Sequence, residues 1–230
     1  MEVFVINLTR SVERRRSICG QLDALGLAYR IFEATDGSDL TDEQVAEMSD
    51  HEACERYGLT RGKIGCVYTK YRLYRAIVEE DIDCALIMED DLELPPNLGE
   101  LARAVEQELR DDEIVLLLGL PAEGCRLSSR DTVRVLDQYD LRYPMTAYQL
   151  VSATAFMLRR PVAARLADLM LPIRTCSDWW GVFHSQGAFR SLRCVWPSPI
   201  DLKLRFPSDI RTRQKRHPVV RVLRDLANHP

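Results

Sequence analysis

The sequence has 230 residues, of which 46% are hydrophobic and 29% charged, and its formal net charge is −4. A chain of this length and composition buries a core of its own, which excludes extensive disorder. The acidic balance excludes a general nucleic-acid binder, because affinity for phosphate backbones depends on clustered Lys and Arg side chains.

The seven cysteines are spread along the chain without a CxxC pair, which argues against a disulfide framework or a zinc site. Free cysteines in apolar runs are typical of a reducing compartment. The first residues lack the basic start and cleavage site of a signal peptide, so we expect a cytoplasmic protein. No apolar stretch approaches the roughly 20 residues that span a bilayer.

Strands and helices alternate in the predicted elements. Residues 3–6 predict a strand, residues 12–25 a helix and residues 29–32 a second strand, and this order is typical of parallel sheets. An acidic stretch over residues 36–55 leads to a long helix at 64–78. The later elements are a strand at 85–88, a helix at 98–109, strands at 114–118 and 148–158, a helix at 162–171 and a strand at 194–196. We therefore predict one α/β domain over residues 1–200.

Three adjacent carboxylates, Glu89, Asp90 and Asp91, directly follow the predicted strand at 85–88. Ligands of open α/β sheets bind beyond the carboxyl ends of the strands, which is where these side chains would lie. Adjacent carboxylates repel one another unless a cation lies among them, and hard oxygen ligands suit Mn²⁺ or Mg²⁺. We predict a divalent metal held by Asp91 and Asp90; the alternative is a solvated acidic turn.

Four short motifs are spaced over the first hundred residues: INLTR at 6–10, ATDG at 34–37, LTRGKIGC at 59–66 and LIMEDD at 86–91. In this order they resemble the motifs of glycosyltransferase family 25, which includes bacterial lipooligosaccharide galactosyltransferases and the collagen hydroxylysine galactosyltransferase. The resemblance implies a GT-A-like fold, with a mixed, mostly parallel sheet flanked by helices.

The resemblance also implies an activity, namely transfer of a hexose from a nucleotide-sugar, a UDP-hexose, with inversion at the anomeric carbon. The acceptor would be a saccharide or glycolipid, in lipopolysaccharide, lipooligosaccharide or other cell-envelope glycan synthesis. Mn²⁺ or Mg²⁺ at the carboxylates would neutralise the donor diphosphate. A nucleotidyltransferase shares such an acidic site, but no Gly-rich phosphate loop follows the first strand.

Several residues are predicted to contact the donor. They are Asn7, Arg10, Asp36, Gly37, Lys63, Glu89 and Asp90. For Asp36 and Gly37 an ordinary Asp-Gly turn is the alternative, and Arg14 and Arg15 are assigned to a solvated helix face.

The sequence departs from the family's pattern at two places. Lys63 stands where the family has Glu, and Thr69-Lys70 stands where it has a Ser-His pair. One interpretation is that the two added lysines bind the diphosphate directly, which would weaken the dependence of donor binding on a metal. The alternative is that they mark a catalytically weakened nucleotide-sugar-binding module.

Asp178 is the predicted catalytic base, since an inverting transfer needs a group that deprotonates the acceptor hydroxyl. The family has an Asp after its acceptor-side helix, and we predict that Trp179 and Trp180 stack on sugar faces. The alternative is that Ser177 and Asp178 cap a helix whose tryptophans fill the core.

The C-terminal segment, residues 201–230, is a predicted basic tail. Its cationic residues include Arg205, Arg211, Arg213, Lys215, Arg216, Arg221 and Arg224. Such a tail predicts peripheral contact with the anionic inner leaflet of the cytoplasmic membrane. A solvated chain end is the alternative.

Overall fold

A computed structural model describes residues 1–121 and 126–202. The strands are β1 (Glu2–Asn7), β2 (Arg30–Glu33), β3 (Cys84–Glu89), β4 (Leu92–Glu93), β5 (Glu113–Pro121), β6 (Val133–Leu136), β7 (Tyr139–Arg142), β8 (Leu150–Arg159), β9 (Ser191–Trp196) and β10 (Asp201–Leu202). The α-helices are α1 (Val12–Ala24), α2 (Asp42–Met48), α3 (His51–Tyr57), α4 (Arg61–Glu79), α5 (Leu98–Glu108), α6 (Arg160–Met170) and α7 (Trp180–Ser185).

Eight of these strands form one mixed sheet in the order β2-β1-β3-β8-β5-β9-β7-β6. The parallel pairs are β1 with β2, β1 with β3, and β5 with β9, whereas β8 is antiparallel to both β3 and β5. β7 is antiparallel to β9 and to β6. Only β7 and β8 therefore run against the other six strands, and the predicted mixed, mostly parallel sheet flanked by helices is confirmed.

The sheet is buried on both faces, which explains why its central strands are continuous apolar runs. In β3, Ala85 and Ile87 belong to the core beneath α4 and α6, whereas Leu86 and Met88 belong to the core beneath α1 and α5. The alternation follows from the two-residue repeat of a strand. β3 is thus fixed from both sides, and so is the position of the residues at its end.

A buried ion pair joins β5 to β9 at the end of the sheet opposite the carboxylates. Arg193 donates from Nε to Glu113 Oε1 at 2.7 Å and from Nη2 to Glu113 Oε2 at 2.6 Å. Ser191 Oγ donates to the same carboxylate at 2.6 Å. Both charged side chains are almost fully buried, so each depends on the other for its solvation.

The acidic stretch at residues 36–55, for which no element was predicted, contains the short helix α2 and most of the short helix α3. Thr41 and Gln44 form a capping box at the start of α2, and Asp50 accepts a hydrogen bond from the Ala53 amide at the start of α3. Neither α2 nor α3 has a fully buried residue, so their sequences do not show the apolar stripe that predicts a helix. Only the capping residues signal these helices.

The carboxyl ends of β1 and β3 lie side by side, because these strands are parallel and Ile6 pairs with Glu89. The short strand β4, just after the carboxylates, pairs with β10. β10 begins one residue beyond the predicted domain boundary at 200. The basic residues of the predicted tail lie outside the described residues, and in the part that is described no helix is both long and apolar enough to cross a membrane.

Candidate functional site

The three carboxylates at the end of β3 have different partners. Asp90 is buried, and Asn7 Nδ2 donates to its Oδ2 at 2.6 Å while Arg14 Nη1 donates to its Oδ1 at 3.1 Å. Glu89 accepts a hydrogen bond from Lys70 Nζ at 3.2 Å. Asp90 and Glu89 are therefore held by neighbouring side chains.

Asp91 differs from the other two carboxylates because one of its oxygens has no hydrogen-bond partner among the described residues. Its Oδ1 is buried and has no hydrogen-bond partner among the described residues, while Oδ2 lies 3.4 Å from Arg14 Nη1. Burial and the nearby charge of Glu89 raise the pKa of Asp91 from an ordinary 3.8 to about 6, and Arg14 only partly opposes them. The site thus holds more negative charge than its own residues compensate.

A divalent cation fits this oxygen, since a buried carboxylate oxygen without a donor is what a hard cation binds. In residues 1–121 and 126–202, however, no group of three His, Cys, Asp or Glu side chains could hold a metal ion. Mg²⁺ and similar ions are often bound by one or two carboxylates together with substrate phosphates. The residues present therefore fit a metal that a phosphate ligand completes.

Two residues near the amino terminus of the chain differ from their predicted roles. Asn7 was predicted to contact a donor, but its side chain is only 2% exposed and donates to Asp90 and to the Ser11 carbonyl. Arg14 was assigned to a solvated helix face, but it is directed at Asp90 and Asp91. Asn7, at the end of β1, and Arg14, in the first turn of α1, thus both support the carboxylates.

A first cavity, of about 570 Å³, opens beside these carboxylates. Its walls come from the end of β1, the turn at residues 34–38, the start of α4 and residues 89–91. Arg10 and Asp36 form an ion pair on its rim, and Gly37 also lines it. The structure therefore brings together Arg10, Asp36, Gly37, Glu89, Asp90 and Asp91.

Two glycines allow the turn at residues 34–38 to lie directly on α4. A Cβ at Gly37 would overlap the Arg61 carbonyl, and a Cβ at Gly65 would lie 2.7 Å from the Thr35 carbonyl oxygen. Thr69 fixes the same contact, because its hydroxyl accepts a hydrogen bond from the Thr35 amide at 2.8 Å. The motifs at 34–37 and 59–66 are thus two sides of one backbone contact that shapes the first cavity.

A second cavity, of about 300 Å³, adjoins the first one. It is lined by residues of α4, by residues 151–154 of β8 and by residues 176–178, including Asp178 and Lys63. The two cavities have Cys66, Lys70 and Glu89 in common. The ion pair between Lys70 and Glu89 therefore lies at the junction of the two cavities.

The structure places Lys63, predicted to contact the donor, on the wall of the second cavity. Its ammonium donates to the Gly58 carbonyl at 3.0 Å, and its side chain lines the second cavity, not the first. Lys63 lies in the first turn of α4, whereas Lys70 lies two turns further along, where the helix passes the end of β3. Of the two lysines that depart from the family's pattern, Lys70 is therefore the one that reaches the end of β3 and the first cavity.

Asp178 lies on the wall of the second cavity, and α7 begins after it. The N-cap residue of α7 is Trp179, so the alternative in which Ser177 and Asp178 cap this helix does not hold. The predicted stacking of Trp180 on a sugar is wrong. Its ring is fully buried against Phe156, and its Nε1 donates to the Ser152 carbonyl at 2.9 Å.

The model of glycosyltransferase family 25, described as an LPS biosynthesis protein family, matches residues 1–176. The chain belongs to glycosyltransferase family 25. The match contains all four motifs and every residue that lines the first cavity, while Asp178 lies two residues beyond it. The resemblance inferred from the motifs is therefore confirmed over residues 1–176, which include the lining of the first cavity.

Relatives of this family-25 chain are similar over part of their length. A "Glycosyltransferase 25 family member" of Drosophila pseudoobscura pseudoobscura is 32% identical over 100 residues, which are 41% of this chain and 16% of the relative. "Procollagen galactosyltransferase 2" of Homo sapiens is 26% identical over 126 residues, 50% of this chain and 20% of its own length. The matched segments thus span about a fifth or less of these relatives.

Among solved structures, mannose-1-phosphate geranyltransferase from Thermus thermophilus superposes with a TM-score of 0.42 and 11% identity. The superposition covers 87% of this chain and 75% of that one. A similarity of this size supports no argument about function.

Proposed function

We propose that this family-25 chain transfers a hexose, galactose or glucose, from a UDP-sugar to a hydroxyl group of a saccharide acceptor. The observation that carries the proposal is the pair of adjoining cavities, one beside Asp91 and one beside Asp178, with Lys70 and Glu89 at their junction. A transfer reaction needs two ligands that meet at one point, and two adjoining cavities provide that geometry.

The first cavity is the proposed donor site. Asp91, through its unengaged oxygen, would hold Mn²⁺ or Mg²⁺, with Asp90 kept in place beside it by Asn7 and Arg14. When bound, the ion supplies positive charge that neutralises the diphosphate. Arg10 and Asp36, which form an ion pair on the wall of the same cavity, would contact the nucleoside part of the donor.

The second cavity is the proposed acceptor site, with Asp178 as the general base. The acceptor hydroxyl oxygen attacks the anomeric carbon, and the bond from that carbon to the diphosphate oxygen breaks with its electron pair remaining on the oxygen. The hydroxyl proton passes to the Asp178 carboxylate. A single displacement of this kind inverts the anomeric configuration.

The names of the relatives support galactose as the first donor to test, because some of them are called procollagen galactosyltransferases. The description of the family as LPS biosynthesis proteins supports a saccharide or glycolipid acceptor of the cell envelope. We extend the proposal to work at the cytoplasmic membrane surface, where the basic residues of the tail would be attracted to anionic lipids.

The proposal is tested by incubating the protein with UDP-galactose or UDP-glucose and Mn²⁺ and measuring both UDP and pyrophosphate. We expect UDP release that rises when a saccharide acceptor is added, and no pyrophosphate. Binding of the UDP-sugar without UDP release would instead identify a nucleotide-sugar-binding module. Release of pyrophosphate would identify a nucleotidyltransferase.

A further inference from the structure

Lys70 lies on the buried face of α4, among apolar residues such as Val67, Leu73 and Tyr74. Its side chain is only 2% exposed. A lysine is almost never buried to this extent unless its charge is compensated, because taking an ammonium group out of water is costly. The position therefore requires partners for the charge, and the structure supplies them.

The charges around Lys70 keep it an ammonium ion. Burial is the largest single effect on the pKa of Lys70 and lowers it, but Glu89, Cys66 on the same helix and Asp178 across the second cavity together outweigh burial. The net effect raises the pKa above its ordinary value. Lys70 is thus a positively charged group at the junction of the two cavities at neutral pH, with Glu89 as its counter-charge.

An ammonium group has three N–H donors and no acceptor. The described residues engage two of them, with Glu89 Oε1 at 3.2 Å and the Ala153 carbonyl oxygen at 2.9 Å. The same side chain lines both cavities. One donor therefore remains for an oxygen of a ligand at the junction.

We propose that Lys70 is a fixed cation of the donor site, which donates its third N–H to a phosphate oxygen of a nucleoside diphosphate. The inference rests on the proposed function, in which the bond between the sugar and the diphosphate breaks at the junction of the cavities. The electron pair of that bond stays on the phosphate oxygen, so a preorganised cation there stabilises the leaving group. A neutral saccharide acceptor offers no comparable charge.

The inference predicts that UDP binds this protein without any divalent metal, through Lys70. The measurement is isothermal titration calorimetry of UDP against the whole chain, in EDTA and again with Mn²⁺. Lys70→Gln should weaken UDP binding in EDTA about tenfold or more, the loss of one charge-assisted hydrogen bond. Lys63→Gln is the matched control, since Lys63 is on the same helix but lines only the second cavity, and it should change the affinity less than about twofold.

A second variant separates binding from a merely structural role. Glu89→Gln leaves Lys70 two acceptors but removes its counter-charge, so in EDTA at pH 6, where protonation of Lys70 is favoured, it should strengthen UDP binding by about threefold or more. If Lys70 and Glu89 only maintained the fold, both substitutions would weaken binding. Opposite signs for the two variants therefore support the proposal even where Lys70→Gln lowers stability.

Three results would overturn the inference. The first is equal UDP affinity of Lys70→Gln and the wild type in EDTA, and the second is wild-type binding that needs Mn²⁺ altogether. Either would leave the proposed glycosyl transfer standing. In contrast, wild-type protein that binds UDP under neither condition would remove the proposed function, and the role of Lys70 with it.

Discussion

Replacing Asp91 with Asn is expected to stabilise the protein in the absence of metal. Burial and the charge of Glu89 raise the pKa of Asp91 from 3.8 to about 6. The ionised carboxylate therefore has a higher free energy in the folded state than in the unfolded chain. A group with a raised pKa stabilises the fold below its unfolded pKa, and this stabilisation is lost as the pH rises through the folded pKa. At pH 7.5 the penalty is fully present, and Asn removes it.

The expected size follows from the pKa values. The difference between 3.8 and about 6 corresponds to about 3 kcal/mol. The side chain is 22% exposed, so screening by solvent reduces this to about 1 to 2 kcal/mol. For a chain of this size we expect the melting temperature to rise by about 3 to 6 °C.

The assay is thermal unfolding in EDTA at pH 7.5 and at pH 5, followed by the same experiment with Mn²⁺ and UDP. The gain from Asp91→Asn should fall by about half at pH 5, where part of the wild-type carboxyl is already protonated. With Mn²⁺ and UDP the wild type should gain stability in proportion to ligand affinity, and Asp91→Asn should lose the metal-dependent part of that gain.

The matched control is Asp83→Asn, which makes the same change of charge at the opposite end of β3. Its side chain is 85% exposed, so the melting temperature should change by less than about 1 °C. The reasoning is refuted if Asp91→Asn lowers the melting temperature in EDTA at pH 7.5. It is also refuted if the metal-dependent stabilisation is the same in both proteins.

Three further substitutions test other parts of the structure. Asp178→Asn should lower the transfer rate by about 10²- to 10⁴-fold while the dissociation constant of UDP stays within about twofold. An unchanged transfer rate would show that Asp178 is not the general base. Glu113→Gln leaves the buried guanidinium of Arg193 without its counter-charge and should lower stability by about 3 kcal/mol in denaturant unfolding, with UDP affinity unchanged. Gly37→Ala places a Cβ against the Arg61 carbonyl and should lower stability by about 1 to 3 kcal/mol and weaken UDP binding. A variant with wild-type stability and wild-type UDP affinity would contradict the close contact.

The sheet was predictable from sequence because its central strands are short apolar runs and the helices beside them carry apolar stripes. β3 and α4 are examples, since both are buried along most of their length. The helices α2 and α3 lack buried residues, so nothing in their hydrophobic pattern separates them from a loop. The strands β6 (VRVL) and β7 (YDLR) do alternate apolar and polar residues, but each has only four residues, too few for the alternation to stand out.

The location of the site was also predictable, because ligands bind where parallel strands end and three carboxylates follow β3 there. The division of roles among these carboxylates was not. It depends on Arg14, which the pattern of α1 assigns to solvent, and on Asn7, which is buried beneath Asp90. Such contacts join residues about 80 positions apart, and only the folded chain defines them.

Lys70 was a candidate from its departure from the family's pattern, but its burial was predictable as well. It occupies a position three residues after Val67 and four before Tyr74, within the apolar stripe of α4. A charged residue inside such a stripe signals a buried charge with a partner. The sequence does not identify that partner, because Glu89 lies on a different element.

The most direct test of the account is a crystal structure with Mn²⁺ and a non-hydrolysable UDP-galactose analogue, with manganese located by its anomalous scattering. We predict one manganese peak at the Asp91 carboxylate, with the diphosphate in the first cavity and its sugar directed toward Lys70 and the second cavity. Manganese and diphosphate bound together at a distance from residues 89–91 would contradict the account.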